Sequence, residues 1–245
     1  MKQISISAQD HQTESNLVKT SGIKSWPQGE RPRERLLKGG APSLTDAELL
    51  ALLLRSGVKG CDAVTLAREL LREFGGLRGL LSGDIQKLLK IKGLGPAKAS
   101  SLLASIEIAK RQLHEQMTGR NVIRDPESVA QYLMATLRDK KREVFKVLFL
   151  NKANEIIADK DLFEGTLDES PVYPREILKA ALDCYASAVI LVHNHPSGNS
   201  APSSEDRSIT RKISECLATC SIKVLDHLII GRGEPFSFRS AGLII

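Results

Sequence analysis

Apolar residues recur along this chain with two different spacings, and the change from one to the other divides it. From Leu44 to Arg111 they return every three or four residues, as on helices that bury one face. Thr45 followed by Glu48 marks a helix start as a capping box, and the run A-E-L-L-A-L-L-L-R-S-G closes at Gly57. Further helices are predicted at Ala63 to Phe74, at Ile85 to Leu89, and from the I-K-G-L-G-P-A-K-A turn, Ile91 to Ala99, onward to Arg111. The predicted product is a small all-α bundle.

Either side of that bundle the pattern fails. Residues 1–20 are polar and rich in Ser, Gln and Thr, the composition of a disordered tail. The stretch W-P-Q-G-E-R-P-R-E-R-L-L-K-G-G is basic and turn-rich; Arg31, Arg33 and Arg35 in it read as phosphate contacts or as solvated surface. Residues 112–126 lose the helical spacing and read as a linker, with His114 at the surface.

Beyond the linker, short apolar strands alternate with helices. Helices are predicted at Glu127 to Leu137, Pro174 to Cys184 and Ser204 to Thr219. Strands are predicted at Val144 to Leu150, Glu155 to Phe163, Ala186 to Val192, Ile222 to Ile230 and Phe236 to Phe238. Interleaving of this kind implies an α/β (α+β) domain, with mixed pairing because two strands follow one another at 144 and 155. The domain division is a tail at 1–20, a helical domain at 21–111, a linker at 112–126 and an α/β (α+β) domain at 127–245.

The strand ending at Val192 changes character abruptly into H-N-H-P-S-G-N-S-A-P-S-S-E-D. Side chains two apart on a strand share a face, so His193 and His195 can converge on one ion. Pro196, Gly198 and Asn199 force a loop, and the helix start after Pro202 returns Asp206 towards the histidines. Two imidazoles and a carboxylate make the three-ligand set of a catalytic zinc site with one position open. Taken alone, Ser203-x-x-Asp206 is also a helix-capping pattern.

H-N-H, seven residues, Ser203, two residues and Asp206 resemble the core of the JAMM, or MPN-plus, metalloproteases. The wording is more similar still to the RadC-like proteins, through G-T-L at 165–167, V-Y-P-R-E at 172–176, H-N-H-P-S-G at 193–198 and L-D-H at 225–227. That resemblance implies a JAMM/MPN-like C-terminal domain binding Zn2+ through His193, His195 and Asp206. The residues leave Glu143, Glu164 and Glu176 as candidates for the base that hydrolysis needs. The resemblance implies Glu143, in R-E-V-F-K-V-L-F-L-N, and implies that Ser203 donates to a developing oxyanion. His227, beside Asp226 on a strand, reads as a satisfied core histidine, with a supporting role behind the site as the alternative.

Charge separates the same two halves. Residues 1–120 hold 19 Lys and Arg against 12 Asp and Glu, a formal +7, leaving 16 against 17, or −1, for the remainder. A polyanion would be held by the N-terminal half. The G-L-G-P-A-K turn is similar to the hairpin of helix-hairpin-helix modules, whose backbone N–H groups face a DNA phosphate. Gly93, Gly95 and Lys98 are the implied contacts, and they would read backbone, not sequence. The alternative is a plain turn between helices.

Cys61, Cys184, Cys216 and Cys220 form no C-x-x-C pair and read as buried reduced thiols. No apolar run approaches the roughly 18 residues that span a bilayer and no signal segment leads the chain, so no membrane partner and a cytoplasmic location are expected. Three functions stay open: a zinc hydrolase of peptide or isopeptide bonds carried to DNA, a metal-dependent nuclease, and a DNA-binding accessory protein with a structural zinc. The RadC name adds an association with DNA repair. Basic residues nearest the ligands in sequence, Arg207, Arg211 and Lys212, are what a nuclease would use.

Overall fold

The computed structural model of the protein describes residues 22–81, 85–165 and 172–244. The 1–20 tail, and Thr166 and Leu167 of the G-T-L stretch, lie outside them. The chain divides into two compact units, Met1–Leu102 and Leu103–Ile245.

The first unit is helical, as its periodicity predicts: α1 (Pro32–Gly39), α2 (Asp46–Leu54), α3 (Ala63–Phe74), α4 (Leu77–Leu81), α5 (Ile85–Leu89) and the start of α6 (Pro96–Met117). Leu50, Leu54, Leu66, Leu70, Leu88, Leu94 and Leu102 are each 2% exposed or less. Burying one such side chain contributes about 1.5–3 kcal/mol. The capping box forms: Thr45 Oγ1 accepts the Glu48 N–H, and the Glu48 carboxylate accepts the Thr45 N–H at 2.8 Å. The basic stretch read as turn-rich contains α1, which Pro32 opens at a position where a missing N–H costs nothing. Two of its arginines are internal struts. Arg31 donates to the carbonyls of Trp26 and Lys24, and Arg35 pairs with buried Glu48 and the Ser43 carbonyl.

α6 does not stop at Arg111; it runs to Met117, into the stretch read as a linker. Leu113 and Met117, four apart, pack into the core of the second unit, and that burial carries the helix through a polar sequence.

The second unit is a five-stranded sheet in the order β2-β1-β3-β4-β5. Its strands are β1 (Val144–Leu150), β2 (Ile156–Glu164), β3 (Ala188–Asn194), β4 (Lys223–Ile230) and β5 (Phe236–Ser237). Only β3 and β4 run parallel, joined through α9 (Ser204–Ala218); the other pairs are antiparallel, which gives the mixed sheet expected. α7 (Pro126–Leu137) and the end of α6 cover one face, meeting Val144, Leu148 and Val192. α8 (Pro174–Asp183) and α9 cover the other, meeting Phe145, Val147 and Leu191. β1 and β3 are therefore buried on both faces.

A polar cluster sits within the α7 side. Lys146, 6% exposed, donates to Asp159 at 2.6 Å and lies 2.7 Å from Asp161; Asp159 also accepts from Tyr132 at 2.9 Å and meets His114 Nε2 at 2.8 Å. Burial alone would lower the Lys146 pKa, yet its bonds to the two aspartates raise it above the ordinary lysine value. Burial pushes Tyr132 up to about 12. His114, read as surface, is thus a half-exposed partner of Asp159. All four cysteines are free thiols, but none is fully buried and Cys220 is exposed, a departure from the expectation. Among the described residues no helix is long and apolar enough to cross a membrane.

Candidate metal centre

Chemistry begins where β3 emerges from between its helical layers. The apolar run predicts a strand ending at Val192, but β3 continues through His193 and Asn194, both fully buried. His193 lies parallel to Phe145, its cross-strand neighbour on β1, with centroids 5.9 Å and planes 7° apart. His195 lies just past the strand, yet its N–H still donates to the Ile230 carbonyl at 3.0 Å, so the alternation of faces persists. The two Nε2 atoms stand 2.9 Å apart.

Each imidazole has its other nitrogen occupied. His195 Nδ1 lies 2.7 Å from the Asn199 carbonyl, an acceptor, so Nδ1 carries a proton and in the neutral ring Nε2 is the nitrogen with a free lone pair. The loop between needs Gly198: φ is +86°, and a Cβ there would meet the Arg232 side chain at 2.6 Å. The chain then enters α9, where Ser203 and Asp206 form a complete capping box.

The capping box and the ligand geometry are one structure. Asp206 Oδ2 accepts the Ser203 N–H at 2.8 Å and the Ser203 hydroxyl at 2.7 Å, while the Asp206 N–H donates back to Ser203 Oγ at 3.0 Å. That turns the carboxylate inward, with Oδ1 3.1 Å from His193 Nε2 and Oδ2 3.5 Å from His195 Nε2. Burial opposes ionisation of Asp206, but bonding to His193 and His195 outweighs it and holds the carboxyl far below the ordinary range. The same carboxylate raises the His195 pKa. Ser203 keeps its hydroxyl proton on Asp206, so donating to an oxyanion would require that proton to change partner.

The donor set fits a small divalent ion. Ligands bonded at about 2.0–2.1 Å to a tetrahedral ion lie about 3.3 Å apart, and the separations here bracket that figure. His193, His195 and Asp206 form a group able to hold a metal ion, with candidate atoms all within 4.8 Å of one another.

Further polar residues surround these three. Asn194, between the two histidines, uses its amide to fix the segment before β1: Oδ1 accepts the Val144 N–H at 2.9 Å, and Nδ2 donates to the Arg142 carbonyl at 3.1 Å. Glu143 lies between those two anchors, and its carboxylate reaches to 3.9 Å from His193 Nε2 with half the side chain exposed. Glu164 ends β2 opposite Val144, and Glu176 lies 3.3 Å from Arg175 in the first turn of α8. Behind the site, His227 is fully buried, with Nε2 2.8 Å from His193 Nδ1 and Nδ1 2.6 Å from Thr210 Oγ1. Burial holds its pKa well below the usual histidine value. It is a satisfied core histidine, as read, and one of its partners is the candidate ligand His193. Asp226 accepts from the His227 and Arg239 N–H groups and from Ser237.

Arg207 and Arg211 line a groove of about 940 Å³ with Lys223 and Arg239, and none of His193, His195 and Asp206 lines it. In the helical unit, Gly93 has φ +93° and a Cβ there would meet Val58 at 2.5 Å, so packing requires the glycine. Gly95 has open space around it. The Lys98 ammonium donates to the carbonyls of Gly57 and Gly93, each at 3.1 Å.

Comparison with known proteins gives two matches along the chain. Residues 23–100 match the UPF0758 N-terminal domain, and residues 123–243 match the RadC-like JAB domain. A UPF0758 protein of Ectopseudomonas mendocina is 49% identical over 220 residues, 90% of this chain and 98% of its own. One from Photobacterium profundum is 50% identical over 220 residues, again 90% and 98%. A Shewanella frigidimarina protein is 46% identical over 224 residues, 91% of this chain and all of its own. With both domains matched in order and such relatives aligned nearly end to end, the chain belongs to the UPF0758 family, carrying a RadC-like JAB domain behind a helical N-terminal domain.

Proposed function

We propose that the protein is a zinc-dependent hydrolase of the JAMM type, cutting peptide or isopeptide bonds, with a helical N-terminal domain that holds DNA. The observation carrying the hydrolase half is the inward-facing triad of His193 Nε2, His195 Nε2 and Asp206, with the Glu143 carboxylate 3.9 Å from one of its atoms. Imidazole and carboxylate suit zinc. Zinc held by these three residues would supply Lewis-acid polarisation and make the attacking water more acidic. Glu143, anchored by Asn194 and open to solvent, takes a proton from the attacking water and returns it to the leaving nitrogen.

The surroundings favour this over a nuclease or a structural zinc. A nuclease needs cations beside the metal to hold phosphate, and Arg207 and Arg211 open instead onto a groove that the ligands do not line. A structural zinc site is closed by four protein ligands, whereas the triad here has three among the described residues, and His195 is partly open to solvent.

The DNA half rests on the +7 charge of residues 1–120 and on the G-L-G turn opening α6, where backbone N–H groups at a helix start favour phosphate. Lys98 ties that turn to the Gly57 carbonyl through its ammonium, which also donates to Gly93. The test is incubation of the zinc-loaded protein with peptide and isopeptide libraries and, separately, with plasmid and single-stranded DNA. Cleavage of an amide substrate that Glu143→Gln abolishes supports the proposal; metal-dependent DNA cleavage with inert peptides replaces it by the nuclease.

A further inference from the structure

The hydrogen bonds behind His193 admit one consistent set of directions, and it ends on the metal-facing nitrogen. Its origin is a group that can only accept: the backbone carbonyl of Asp206, one helical turn before Thr210, takes the Thr210 hydroxyl proton. With its one proton placed there, Thr210 Oγ1 accepts from His227 Nδ1, 2.6 Å away. His227 Nδ1 therefore carries hydrogen. The ring is fully buried against Phe145 and Phe238, a setting that strongly disfavours a cation, so it is neutral and its Nε2 is bare.

A bare Nε2 can only accept, and the atom it faces at 2.8 Å is His193 Nδ1. His193 Nδ1 must donate. Its Nε2 is then left with a free lone pair, directed at His195 Nε2 and Asp206 Oδ1. This is the tautomer that ligation through Nε2 requires. If the order ran the other way, His227 would donate and His193 Nε2 would carry the proton that blocks a metal.

We propose that Thr210 and His227 are positioning residues that hold His193 in its metal-binding tautomer. The inference rests on the metal-site reading given above. Supports of metal-bound histidines are commonly carboxylates or carbonyls, which can only accept and so fix the tautomer unaided. A histidine in that place can do either. The direction has to be imposed from behind, and the Thr210 hydroxyl imposes it while tied to the backbone of Asp206, itself a ligand residue. Residues from β3, β4 and α9 thereby form one chain of hydrogen bonds that begins at Asp206 and ends at His193, both candidate ligands.

The test is zinc affinity of the full chain, measured by chelator competition for wild type, Thr210→Val, Thr210→Ser and His227→Phe, with nitrogen-15 NMR of the histidine rings in the metal-free wild type, where no ion imposes the tautomer. Thr210→Val keeps the shape and removes the directing hydroxyl, so zinc should bind about 10–100-fold more weakly, the usual range for such supports. Thr210→Ser should restore affinity to within about twofold, because it restores the hydroxyl. His227→Phe should lose at least as much as Thr210→Val. The spectra should place protons on Nδ1 of both His193 and His227. Unchanged affinity in Thr210→Val, or a proton on His227 Nε2, overturns the proposal, and the spectra decide it even where a variant fails to fold. Failure of the metal reading itself looks different: His193→Ala with His195→Ala would retain zinc.

Discussion

Two polar clusters sit back to back in the same sheet, one residue apart in the pairing of β1 with β3. Lys146 opposite Val192 points its side chain to the α7 side, and Phe145 opposite His193 belongs to the α8 and α9 side. The Lys146 cluster is closed. Its ammonium meets Asp159 and Asp161, and Asp159 is filled further by Tyr132 and His114, so donors and acceptors are matched within the protein. The His193 cluster is open: His193 Nε2, His195 Nε2 and the Asp206 carboxylate converge on one another, and the half-exposed Glu143 carboxylate stands at the edge. Burial of polar groups therefore has different meanings in the two clusters. Matched groups hold helices to a sheet; converging acceptors are able to hold a cation.

Glu143→Gln sharpens the comparison most, because it alters chemistry at the open cluster without removing a ligand. Hydrolysis should fall by about two to four orders of magnitude with zinc retained, the range for a positioned proton carrier. Activity assays beside elemental analysis check this, and retained activity would move the role to Glu164.

Lys146→Met should do the reverse. Removing one partner of a buried pair costs about 3–5 kcal/mol, so denaturant unfolding should shift strongly while the folded protein still takes zinc. A variant as stable as wild type would show that the closed cluster holds nothing together.

The pH dependence separates the clusters more gently. Asp206 raises the His195 pKa, so the metal-free site holds a proton there at higher pH than free imidazole does. Zinc must displace that proton, so affinity should climb with pH, at most about tenfold per unit for one proton, until the raised His195 value is passed. Metal-free stability runs the other way: the contribution of a raised histidine is complete below its unfolded pKa of about 6.5 and is lost as pH rises through the folded value. Chelator titrations and thermal melts between about pH 5.5 and 8.5, spanning the unfolded value, test both slopes; flat slopes would contradict the assignment.

The smallest effect is expected in the helical unit. If the G-L-G backbone holds phosphate, DNA binding should ignore sequence and weaken steeply with salt. Lys98→Gln should cost about 1 kcal/mol of stability through its two lost bonds, yet leave the salt slope unchanged, because the ammonium is already committed to carbonyls. A slope shallower by about one would put Lys98 on a phosphate instead.

Much of this was legible because it is local. The strand at Val144–Leu150, the capping boxes and the spacing of His193, His195, Ser203 and Asp206 all depend on neighbours within a few residues. Hidden features depend on distant partners. Asn194 acts on a segment 50 residues earlier, and Thr210 acts through His227, 17 residues later, so neither carries a sequence signal beyond its own type. β3 extends past its apolar run because Asn194 and His193 find polar partners inside the protein. α6 outlasts its periodicity because Met117 is buried within the second unit, and α1 hides among prolines and arginines whose partners are remote.

The open cluster is the central claim, and metal content tests it most directly. Elemental analysis of the protein purified without added chelator should find one zinc per chain in the wild type and in Lys146→Met, and none in the His193→Ala, His195→Ala double variant. Zinc held by the double variant in stoichiometric amount, or a wild type that takes up none when zinc is supplied, would contradict it.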